Sequence, residues 1–101
     1  ETHYDFLVED NADCLTWKFL NIPLINKGLV QIVKQPNHRL VWLSRLEYEL
    51  SGNRGLVKRI DNGTFINFTS KQNCKDLKII LNGKILNGLF EISGNFCKLT
   101  N

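Results

Sequence analysis

The chain has 101 residues, 13 Lys and Arg against 10 Asp and Glu, and a formal net charge of +3, which predicts one domain over residues 1–101 with a single modest core. Its 43% hydrophobic and 23% charged residues are globular proportions and exclude an intrinsically disordered chain. No apolar run nears the roughly 18 residues of a membrane-spanning helix, and no signal-peptide pattern opens the sequence, so the reading is a cytoplasmic protein with no membrane partner.

Charge is unevenly placed. Residues 1–13 carry five carboxylates and no Lys or Arg, whereas the remainder carries 13 basic and 5 acidic side chains. A basic body of this kind suits a polyanion such as a nucleic-acid backbone, although a solvated mixed surface has the same composition. The three cysteines, Cys14, Cys74 and Cys97, are odd in number and form no Cys-x-x-Cys pair, which argues against a disulfide framework or a zinc knuckle. They read as free thiols acting as small buried hydrophobes in a reducing compartment. Asn62-Gly63-Thr64 and Asn67-Phe68-Thr69 fit the glycosylation pattern but, without a secretory signal, are read as chance. The first residue is Glu1 and the chain has no Met, so further residues are expected upstream.

The first predicted element is "HYDFLV". As a strand it alternates faces, with Tyr4, Phe6 and Val8 on one side and His3, Asp5 and Leu7 on the other. An imidazole and a carboxylate two residues apart on one face can share an ion or a ligand; a weak surface contact is the plainer reading. "CLTWKF" follows as a second strand, with Trp17 as core. "LNIPLINKG", holding Pro23 and Gly28, reads as a loop, and "GLVQIVK" as a third strand. "NHRLVWLSRL" predicts one or two helical turns, with Asn37 as cap.

Beyond it lie "LVKRI", "TFINF", "LKIIL", "LFEIS" and "FCKL", short period-two runs rich in strand-forming residues. Turns are predicted at Ser51-Gly52-Asn53, Asp61-Asn62-Gly63, Asn82-Gly83, Asn87-Gly88 and Gly94-Asn95, with Asp61 as a turn former. "LKIILNGKIL" is the clearest hairpin. Short strands with frequent turns predict an all-β fold, a small antiparallel β-barrel with one or two short helical turns.

The order "HYDFLVED", "LTWKF", "NHRLVW", "SGNRGLVKRIDNGTF", "LKIILNGKILNGLFEI" resembles the 3′-phosphoesterase domain of bacterial DNA ligase D, above all its stand-alone, single-domain relatives, over nearly the whole chain. The resemblance implies a small β-barrel that removes blocking groups from DNA 3′ ends in end repair. Such enzymes depend on a divalent metal, typically manganese, trim a terminal ribonucleoside and hydrolyse the remaining 3′-phosphate. The expected partner is DNA at primer–template 3′ ends, or RNA, and the expected state a monomer; nothing in the sequence points to an organic cofactor.

Residue by residue, the resemblance makes His3 and Asp5 metal ligands, a mixed nitrogen and oxygen set that suits manganese. It makes His38 the group that contacts the scissile phosphate, as imidazolium through a charge-assisted hydrogen bond. The three are expected to converge at the barrel mouth. Arg54 and Arg59, in and after the "SGNRG" turn, are candidate phosphate clamps; as plain hairpin residues they would face solvent. Arg39 and Arg45 are weaker candidates. Trp42 stands where the family has Tyr, and its indole N–H can donate but not ionise. Leu7 stands where the ligase-linked enzymes have a phosphate-binding Arg, and the family's further metal-ligating His falls upstream of Glu1. The alternatives are a non-catalytic module that binds nucleic-acid ends, favoured by Leu7 and Trp42, and a purely structural barrel.

Overall fold

The computed structural model describes residues 3–44, 47–50, 55–67 and 76–101. The described residues form nine strands: β1 (Tyr4–Asp10), β2 (Asp13–Phe19), β3 (Val30–Arg39), β4 (Glu47–Leu50), β5 (Gly55–Lys58), β6 (Gly63–Asn67), β7 (Asp76–Gly83), β8 (Asn87–Ser93) and β9 (Phe96–Thr100). Seven form one antiparallel sheet in the order β1-β2-β3-β9-β8-β7-β6, and β4 pairs with β5. One 3₁₀ turn, Leu40–Ser44, follows β3. The expected all-β fold is therefore present, as a curled sheet that makes half a barrel.

The period-two pattern decides which face closes. On β7, Leu77, Ile79 and Leu81 are buried while Asp76, Lys78 and Ile80 are exposed. Phe90 and Ile92 of β8, Cys97 and Leu99 of β9, Ile32 of β3, Trp17 and Phe19 of β2 and Val8 of β1 join them in one core. β1 and β8 are four strands apart in the sheet, about 19 Å if it were flat. Yet the rings of Phe6 and Phe90 lie with centroids 5.0 Å apart, and Phe6 stacks on Phe19 at 5.1 Å. The sheet curls around these rings, and burying them with the aliphatic core stabilises the curl.

Trp17 lies in this core as expected, with the Lys34 ammonium 5.4 Å from its ring centre. Its Nε1–H is buried and has no hydrogen-bond partner among the described residues. Cys14 and Cys97 are free and buried, as expected; Cys74 lies outside the described residues.

Several boundaries differ from the sequence expectation. β3 runs on through Pro36, Asn37 and His38 to Arg39, so Asn37 is not a helix cap. Its Nδ2 donates instead to Asp13 Oδ2 at 3.1 Å. A bulge opposite the Cys14–Thr16 stretch of β2 accommodates Pro36, which has no N–H to give a ladder. The one or two helical turns expected next are present as the 3₁₀ turn, and Arg45 and Leu46 lie outside the described residues. The hairpin after Leu77 exists, but Asn82 and Gly83 belong to β7 and Asn87 and Gly88 to β8, with the reversal at residues 84–86. Gly94, at φ +61°, makes the expected β8–β9 turn. The expected Ser51-Gly52-Asn53 turn lies outside the described residues.

Candidate metal and phosphate site

β1 and β2 are joined across Asn11 and Ala12, and the register follows by counting outward from that reversal. Asp5 pairs with Lys18, Leu7 with Thr16 and Glu9 with Cys14. β3 continues the rows, so that Lys18 pairs with Val33, Thr16 with Gln35 and Cys14 with His38. Antiparallel partners share a face. The outer face of β1–β3 therefore carries Asp5–Lys18–Val33, Leu7–Thr16–Gln35 and Glu9–Cys14–His38, opposite to the face of Trp17 and Phe6. His3, two residues before Asp5, continues this side.

His3 and Asp5 do come together. His3 Nε2 lies 3.7 Å from Asp5 Oδ1, with both side chains part-exposed. Among the described residues no third His, Cys, Asp or Glu joins them to complete a cluster. Two donors of this kind fit a labile, mostly hydrated divalent ion bound through nitrogen and oxygen.

His38 shares their face but not their level along the strands. Its row is that of Glu9, four residues beyond Asp5, which puts the Asp5 and His38 Cα atoms roughly 15 Å apart. The two ends can meet only across a bound group. His38 Nδ1 lies 3.1 Å from the Pro36 carbonyl oxygen; the oxygen only accepts, so Nδ1 carries the proton and Nε2 is the nitrogen open to a ligand. The ring meets Trp42 edge-on, with centroids 5.9 Å apart and planes at 77°. Trp42 is held by the 3₁₀ turn, which lies against β1. Cys14 and Thr16 are fully buried on this outer face. Burial, then the charges of Glu9 and Asp13, push the Cys14 thiol up, so a thiolate beside His38 is disfavoured.

Of the two described arginine candidates, Arg59 is bonded to the turn that holds Trp42, and Arg39 faces the other way. Arg59 Nη2 donates to the Leu43 carbonyl at 2.6 Å, tying the chain after β5 to the 3₁₀ turn, so one of its terminal nitrogens is already engaged. Arg39 pairs in register with Asp13, on the side away from His38. Arg54 and Arg45 lie outside the described residues. Asp61 does more than form a turn: its carboxylate accepts N–H bonds from Asn62, Lys84, Ile85 and Leu86 at 2.8–3.0 Å. Lys18 is the residue that sequence reasoning passed over. Recognising Asn11-Ala12 as a two-residue reversal would have placed it beside Asp5.

No protein-family model and no curated protein matches the chain.

Proposed function

We propose that this protein is a divalent-metal-dependent phosphoesterase acting on the 3′ ends of DNA. The observation that carries the reading is the His3–Asp5 pair, 3.7 Å apart, on the same sheet face as the one other imidazole of the chain. His3 and Asp5 are the residues that would hold the ion, Mn²⁺ or a similar divalent metal that accepts mixed nitrogen and oxygen donors. Such an ion supplies Lewis-acid polarisation of a phosphoryl oxygen and a more acidic bound water. His38, oriented by the Pro36 carbonyl and the Trp42 edge, gives a charge-assisted hydrogen bond from protonated Nε2 to a phosphate oxygen. A 3′-phosphate lying between the two ends of the face would be hydrolysed by water: the P–O bond to the sugar breaks, and the 3′ oxygen leaves with a proton as a hydroxyl.

The test is release of inorganic phosphate from a 3′-phosphorylated primer–template with Mn²⁺ present. Release that stops with EDTA and with His3→Ala supports the reading; release unaffected by His3→Ala overturns it.

A second reading, a non-catalytic module for nucleic-acid ends, is favoured by Leu7. It is half-buried at the centre of the face, opposite Thr16, and offers a phosphate no donor. A pure binder would hold the same DNA with or without metal, release nothing, and lose affinity with salt as phosphate contacts are screened.

A further inference from the structure

We infer that Lys18 is the phosphate-binding cation of this face; the inference rests on the phosphoesterase reading. Lys18 is the direct cross-strand partner of Asp5, which brings their Cβ atoms to about 5 Å. It stands in the Asp5 row, at the metal-pair end of the face, one row from Leu7–Thr16 and two rows from His38, so a phosphate held next to an ion on His3 and Asp5 would lie beside it. Lys18 is half-buried as a residue, which limits where the ammonium can travel.

The other cations of β1–β3 serve elsewhere. Lys34 lies over the Trp17 ring on the core side and donates to Asn37 Oδ1. Arg39 aligns with Asp13 on that same side. Lys18 is thus the one Lys or Arg that the described residues of these strands put on the outer face. Among the described residues its ammonium has no ion-pair partner: the nearest carboxylate in register, Asp5, faces His3 instead. With Asp5 and His3 committed to a cation, an anionic oxygen is the natural partner for Lys18. Its flanking neighbours Leu7 and Val33 offer no donor, so the positive charge aimed at a phosphate from this row falls to Lys18.

The test compares binding of two duplexes, identical except for a 3′-phosphate or a 3′-hydroxyl, in EDTA so that no turnover intervenes, alongside steady-state phosphate release with Mn²⁺. Wild type should prefer the 3′-phosphate. Lys18→Ala should reduce that preference roughly tenfold or more, the worth of a charged hydrogen bond, and raise KM, while 3′-hydroxyl affinity and the melting temperature stay put. Lys18→Arg should keep most of the preference. A wild-type preference retained in full by both Lys18→Ala and Lys18→Gln overturns the inference and leaves the phosphoesterase reading standing. So does release of phosphate by a wild type that shows no preference. A wild type with neither preference nor release overturns both.

Discussion

Asp61 and Leu86 are 25 residues apart, and the Asp61 carboxylate accepts the Leu86 N–H at 2.8 Å. With Lys84, Ile85 and Asn62 donating to the same group, one side chain clasps the whole β7–β8 reversal. Asp61→Ala should therefore lower stability by about 2 kcal/mol, read from urea unfolding at neutral pH. Asp61→Asn, which keeps an acceptor, should lose less.

The clasp is also pH-dependent. Burial works to raise the Asp61 carboxyl, and the four N–H bonds outweigh it, so its pKa lies below the ordinary carboxylate value. A carboxyl depressed in the folded state contributes stability that is complete above the unfolded value, near pH 4, and is lost as pH falls through the folded one. Stability against pH should drop below about pH 4 in the wild type, with a shallower drop in Asp61→Ala.

The same clasp shows where the sequence was legible. Alternation alone revealed β7 and β8 because Leu77, Ile79 and Leu81 obey period two. The turn position was not legible, since Asn82-Gly83 has the right local chemistry and a carboxylate 21 residues upstream decides against it. Glycines mislead in the same way. Gly88, at φ +135°, is not a turn residue: a Cβ there would collide with the Thr100 carbonyl of β9. At Gly63 a Cβ would strike the Asn82 carbonyl, so the position serves strand approach. At the site, the His3–Asp5 pairing was legible because two residues on one strand face are neighbours by geometry. The level of His38 was not, because it depends on a ten-residue β3 and on its bulge.

Phe90 is fully buried and touches both Phe6 and Phe19. Phe90→Ala should cost about 3–5 kcal/mol, the loss of burial plus a cavity among rings. Phe96, 46% exposed, should cost under about 1 kcal/mol when cut to Ala. Denaturant midpoints of the two variants check the contrast.

Burial pushes the Cys97 thiol up to about 12, and the Cys14 thiol is raised as well. In a Cys74→Ser background neither should react with an aromatic disulfide reagent at neutral pH until the protein unfolds, so the reaction rate should follow denaturant. As pH rises above the unfolded thiol value near 9, Cys97 ionises only in the unfolded chain, and stability should decline.

The claim at the centre of the account is that His3 and His38, at opposite ends of one sheet face, act on the same phosphate. Phosphate release from a 3′-phosphorylated primer–template should be measured for the wild type, His3→Ala, His38→Ala and the double variant, with Mn²⁺ throughout. Residues of one centre fail together, so each single variant should lose most of the activity and the double should be little slower than the worse single. Full activity in His38→Ala, or losses that simply multiply in the double variant, would contradict it.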